Sequence, residues 1–150
     1  MMNRMLTVIV TVMTLVFCPA LAGQSFFTRP AQNDSSDGEG PAEIFRAVEE
    51  GMSAGDGRVF SAYFHRTVIL NIRGRADGYY SANQARQILR FFFSASRVAS
   101  FSFTTRDTGT HPFATGGGMV TTGNRSERVQ VYVGLTRERA GWVISQLNIY

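Results

Sequence analysis

The sequence has no lysine, a single cysteine, a single tryptophan and two histidines. Each shortage removes a class of chemistry. His65 and His111 stand in neither H-x-H nor H-E-x-x-H spacing, so no metal site is expected. The cysteine, Cys18, lies in a leading segment that reads as a cleaved export signal. Without that segment the chain has no disulfide, no free thiol and no cysteine ligand. The uncharged stretch Leu6 to Phe17 falls short of the about 20 apolar residues that span a bilayer. The missing lysines leave arginine to carry the positive charge, and no mechanism follows from that.

What is present describes an ordinary globular chain. Its 150 residues fit one domain, with 44% hydrophobic and 17% charged residues. Twelve phenylalanines supply bulk for a small core. Arg4, the apolar stretch and the small-x-small end Ala20-Leu21-Ala22 make residues 1–22 a secretory signal peptide. The expected location is therefore periplasmic or extracellular. The alternative is a lipoprotein anchored at Cys18, which the bulky Phe17 disfavours. Residues 23–40 read as a disordered linker, because 32–40 hold nothing apolar to offset the entropy of ordering. Residues 41–150 are the folded unit. It is more basic than the chain as a whole, since three of the acids, Asp34, Asp37 and Glu39, precede it.

The folded unit opens with three helices. Pro41 suits a first helical turn, and Ile44, Phe45, Val48 and Met52 share one face. Gly51 and Gly55 stop this helix. Asp56 caps a short second helix with Val59, Phe60, Tyr63 and Phe64 facing inward. Thr67 to Ile72 reads as a strand, and Arg73 to Gly78 as a turn. Ser81 and Gln84 form a capping box for a third helix whose core face is Ala85, Ile88, Leu89 and Phe92. Four strands follow: one around Phe101 and Phe103; Phe113 to Thr122, with a bulge expected at Gly116 to Gly118; one through Val129, Val131, Val133 and Leu135; and Trp142 to Tyr150. The order predicts an α+β fold, three N-terminal helices on one face of a curved, mainly antiparallel sheet.

Catalytic signals fare poorly against bland readings. Gly51-Met52-Ser53-Ala54-Gly55 matches G-x-S-x-G, and Asp107 and His111 follow in triad order. That chemistry needs a strand before the serine and a helix after it. Here a helix precedes Ser53 and the glycines end it, so no catalytic residue is assigned. The carboxylates lie in helices or turns rather than on a strand's apolar face. Asp77 is expected to shape a hairpin. The arginine pairs Arg73/Arg75 and Arg86/Arg90 are too few and too scattered for a nucleic-acid interface. No cofactor is called for. The membrane is expected to be met only through the export signal.

The segments Ile44 to Gly57, Tyr80 to Phe93 and Arg128 to Ile149 resemble an exported bacterial family, domain of unknown function 4783, of the nuclear transport factor 2-like superfamily. The resemblance covers nearly all of 41–150 and rests mostly on packing and capping residues. It implies a cone-shaped fold with a pocket between helices and sheet. The pocket candidates are Tyr63, His65, Phe92 and Phe103. Enzymes of the superfamily, among them ketosteroid isomerases and polyketide cyclases, place an acid or a histidine–acid pair in the cone. No such pair is matched here. The expectation is a non-catalytic module that binds a small apolar ligand or a protein partner. The alternatives are an isomerase, cyclase or hydrolase of the same fold, or a structural dimerisation module. A homodimer through the outer sheet face is expected, because both faces of the last two strands carry apolar residues.

Overall fold

The computed structural model describes residues 39–150. The expected export signal, Cys18 and all but the last two residues of the expected linker lie outside them. The chain runs α1 (Pro41–Ala54), α2 (Arg58–Ser61), β1 (Phe64–Ile72), β2 (Ala76–Ser81), α3 (Ala82–Ala95), β3 (Arg97–Asp107), β4 (Phe113–Thr122), β5 (Arg125–Glu138) and β6 (Gly141–Ile149). The strands form one sheet in the order β2-β1-β6-β5-β4-β3. Every pairing is antiparallel except β1 with β6, which is parallel.

α1 begins at Pro41 and buries Ile44, Phe45, Val48, Gly51 and Met52. Gly55, at φ 67°, ends it in the left-handed conformation that glycine adopts without penalty. Gly51 serves packing. A Cβ there would lie 2.5 Å from Cδ1 of Phe60, so its absence admits the Phe60 ring. α2 is a single turn in which Phe60 takes the inward position. Val59, expected inside, is 36% exposed, and Phe64 proves to be the first residue of β1. The Ser81–Gln84 capping box of α3 is present in both directions.

The stretch Arg73 to Gly78 departs from the single turn expected of it. The turn is confined to Arg73, Gly74 and Arg75, and Ala76–Ser81 is an edge strand registered on β1 from Ile72↔Ala76 to Thr67↔Ser81. Asp77 and Gly78 are poor strand formers, so local propensity hides what pairing with β1 imposes.

The sheet curves where register shifts. The expected bulge at Gly116–Gly118 falls instead on the partner strand. Val98↔Val120 is followed by Ser100↔Met119, and Phe103↔Gly116 by Thr105↔Thr115, so Ala99 and Thr104 of β3 are the extra residues. The glycines let bulged β3 come close: a Cβ on Gly116 would lie 2.2 Å from the Ser102 carbonyl oxygen and 2.6 Å from Cα of Phe103. A further bulge at Ser145 separates Leu135↔Ile144 from Gly134↔Gln146. The concave face, covered by α1 and α3, holds the core. Phe45 and Phe101 meet Phe103 edge-on, with centroids 6.1 and 5.1 Å away. Glu49 ties α1 to β3, accepting from the Phe103 amide at 2.8 Å and pairing with Arg106.

Candidate functional site: an arginine-lined cleft

The parallel pairing sets the ends of β1 and β6 side by side, with Ile72 opposite Ile149. β5 and β4 are longer. Residues 125–129 run past the end of β6 and pair with β4 alone. Between this overhang, the β1–β2 turn and the end of α3 lies a cleft of about 310 Å³. Its apolar lining is Ile72, Phe92, Val120, Val129 and Ile149, with Ser96 and Thr122 beside them and Tyr150 at its edge.

Four arginines line the same cleft. Arg73 and Arg75 come from the β1–β2 turn, Arg125 and Arg128 from the overhang. The turn is held by backbone bonds, Arg73 N–H to the Ile149 carbonyl at 3.0 Å and Arg75 N–H to the Ile72 carbonyl at 2.8 Å. Gly74, at φ 70°, permits it. Glu127 is the carboxylate in the lining, 3.6 Å from Nε of Arg125. Both side chains are more than half exposed, so this pair neutralises little. Among the described residues no carboxylate forms an ion pair with Arg73, Arg75 or Arg128. Like charges gathered around an apolar floor focus a positive potential on the mouth. Ser96 is buried, and its hydroxyl lies 2.9 Å from that of Thr122, so these two groups are already paired.

Of the four pocket residues drawn from the resemblance, Phe92 lines this cleft. Phe103 is packed into the phenylalanine core. His65 lies at the opposite end of β1 from Ile72. Its Nδ1 lies 2.7 Å from the Thr67 carbonyl oxygen and 3.0 Å from the Thr67 amide nitrogen, and its Nε2 meets Glu138 at 2.8 Å. Tyr63 stands at that same end, and its carbonyl accepts from the Ile144 amide. Its hydroxyl bonds the Glu39 carboxylate, which raises the phenol above its usual value, with burial adding to the effect. Ser53 is helical and donates to the Phe101 carbonyl at 3.3 Å. Asp107 accepts from Gly109 N–H and His111 is exposed, and no hydrogen bond joins the three. Sequence reasoning set Arg73 and Arg75 aside as one of two scattered arginine pairs, and it did not single out Arg125 or Arg128. Their signal was two tight turns with arginines close by, Arg73 and Arg75 in one and Arg125 and Arg128 after the other, and nothing in the order of residues says that the turns meet.

A larger groove, about 530 Å³, lies outside the sheet's concavity between the α1–α2 turn and α3. Its Asp56 carboxyl is held down at about 2 by hydrogen bonds from the side chain and backbone of Arg58. Arg86 donates to the Ser61 carbonyl at 3.2 and 3.1 Å.

A family model for a domain of unknown function, DUF4783, matches residues 45–150. No curated protein matches the chain. Among solved structures, a DUF4783 family protein from Bacteroides fragilis is 21% identical at a TM-score of 0.58, over 69% of this chain and 93% of that one. A ketosteroid isomerase-like protein from Erwinia carotovora atroseptica is 12% identical at 0.58, over 72% and 90%. A putative polyketide cyclase from Pseudomonas putida is 16% identical at 0.52, over 75% and 92%. At these identities the likeness is one of fold: helices on a curved mixed sheet, nuclear transport factor 2-like.

Proposed function

Because the chain belongs to the DUF4783 family, whose description carries no activity, we propose a function from the cleft itself: a non-catalytic module that binds a small amphiphilic anion. The observation that carries this is the set of four guanidiniums around an apolar floor. A guanidinium grips a carboxylate or phosphate through paired N–H donors and sheds its hydration more readily than an ammonium. The floor of Ile72, Phe92, Val120 and Ile149 suits a hydrocarbon body. Each 100 Å² of apolar ligand surface removed from water contributes about 2.5 kcal/mol. The expected ligand was apolar; the arginines add the anionic head.

The buried polar side chains of the described residues are Ser61, Ser96 and Asn148, none of which titrates near neutral pH. This favours binding over acid–base chemistry. The isomerase, cyclase or hydrolase alternative needs a carboxylate or histidine facing the cleft. Glu127 is the one available, and it is half exposed beside Arg125. The reading belongs with the export expected of residues 1–22, and so with work outside the cytoplasm.

Calorimetry with octyl phosphate, octanol and inorganic phosphate tests the proposal. Octyl phosphate should bind, each half alone should bind at least about tenfold more weakly, and Arg73→Ala with Arg75→Ala should remove the advantage of the charged head. Equal binding of octanol and octyl phosphate would sink it.

A further inference from the structure

The arginine cleft is one of three depressions that join. The groove beside α3 shares Gly55, Phe93 and Ser94 with a second depression, and that one shares Ser96 with the cleft. Arg58, Arg86 and Arg90 line the first, Arg97 the second, and the four arginines already described the third. The carboxylates lining this continuous surface are Asp56 and Glu127. Asp56 is committed to Arg58 at 2.7 Å and Glu127 lies beside Arg125. Arginines far apart in the chain are thus drawn to adjoining depressions.

Exposed apolar side chains accompany them. Phe91 is 61% exposed and lies under the Arg90 guanidinium, 5.8 Å from its ring centroid. Phe91, the most exposed phenylalanine, therefore stands beside an arginine that lines this surface, and Val59, 36% exposed, follows Arg58 in the chain. A soluble polyanion needs the charge but has no use for these side chains. An anionic bilayer uses both, the arginines at the phosphates and the apolar groups at the headgroup boundary. Among the described residues no helix is long and apolar enough to cross a membrane, so contact of this kind lies along the surface.

We propose that this arginine face docks the domain on an anionic lipid bilayer. The sequence confines membrane contact to the export signal; the fold assembles a second contact from arginines scattered between Arg58 and Arg128. The inference does not depend on the cleft's ligand, because Arg58, Arg86, Arg90 and Arg97 lie outside that cleft. A bilayer on this face would also set the cleft mouth against a source of amphiphiles.

The test is co-sedimentation of the full chain with vesicles of phosphatidylcholine alone or mixed with phosphatidylglycerol. The chain carrying Arg90→Glu and Arg97→Glu is the variant, since among the described residues neither guanidinium is held by a hydrogen bond. Arg46→Glu with Arg139→Glu, off the face, is the control. Residues 6–17 add the same affinity to all three chains. The variant should lose at least about tenfold in partition onto the anionic vesicles, the control should keep parent binding, and half-molar salt should reduce parent and control to the variant's level. On phosphatidylcholine alone the three should not differ. Far-ultraviolet circular dichroism melts confirm that each chain is folded. Equal loss in the control, or parent-like binding by the variant, would overturn the proposal. So would loss of polyphosphate binding in the variant without loss on vesicles, which would point to a soluble polyanion.

Discussion

Gly116 shows how a residue with no side chain shapes this sheet. It faces Phe103 across the β3–β4 pairing, and the bulge at Thr104 pushes the β3 backbone toward it. A methyl group there would meet the Ser102 carbonyl oxygen at 2.2 Å, a separation that real Cβ atoms do not tolerate. Backbone atoms cannot swing aside as a flexible side chain can. Gly116→Ala should therefore lower unfolding free energy by roughly 2–3 kcal/mol, the cost of overpacking a core site. Gly117→Ala should cost less, since its Cβ would find its nearest neighbour at 3.4 Å. Urea denaturation of the two variants beside the parent measures the difference. Equal midpoints for both would contradict the packing described.

At the scale of elements, α3 joins sequence logic to the site. Its capping box closes the first turn, Ser81 Oγ accepting from the Gln84 amide at 3.3 Å and Gln84 Oε1 from the Ser81 amide at 2.9 Å. Ala85, Leu89 and Phe92 then face the sheet. The last of them reaches the cleft, so the cap fixes the angle at which Phe92 enters it. Ser81→Ala should destabilise the fold by about 1 kcal/mol. It should also weaken octyl phosphate binding less than Arg73→Ala with Arg75→Ala does, because the cap acts through Phe92 alone. Thermal melts with and without ligand separate the two effects. The Ser145 bulge is the other element-scale device. By adding one residue to β6 it turns Ile144, Leu147 and Ile149 all inward, at 0%, 0% and 1% exposure.

For the whole molecule that bulge changes the expected contact between copies. The outer face is left with aromatic and polar groups rather than a plain apolar sheet. Phe113 and Tyr132 stack there at 6.1 Å, and Tyr79 is 76% exposed. Asn148 is buried on the same face, its Nδ2 donating to the Tyr150 hydroxyl at 2.8 Å and its Oδ1 without a partner among the described residues. Trp142 packs against the core with Arg137 over its ring. We propose that two copies still pair through this face, since a buried acceptor left without a donor costs about 1–3 kcal/mol and a second chain can supply one. Light scattering at micromolar concentration should give twice the chain mass, and Tyr132→Glu should return it to one. A parent that stays monomeric would end this reading.

The sequence by itself determined the elements whose signal is local. The face of α1, the capping box and core face of α3, and the alternation of β3 and β5 all follow from spacings of two to four residues, which backbone geometry converts directly into a buried side. It also determined that Gly51 to Gly55 ends a helix. β2 lay beyond such reasoning, because its residues are poor strand formers and only the neighbouring strand holds them extended. The bulge positions did too, since they depend on which residues of the opposite strand leave room. The site needed tertiary structure most of all. Arg73 and Arg128 are separated by about half of the folded chain, and they share a cleft because one parallel pairing brings the ends of β1 and β6 together while β4 and β5 run on past them. Charge summed along a sequence carries no direction; only the fold decided that these arginines lie on the same side.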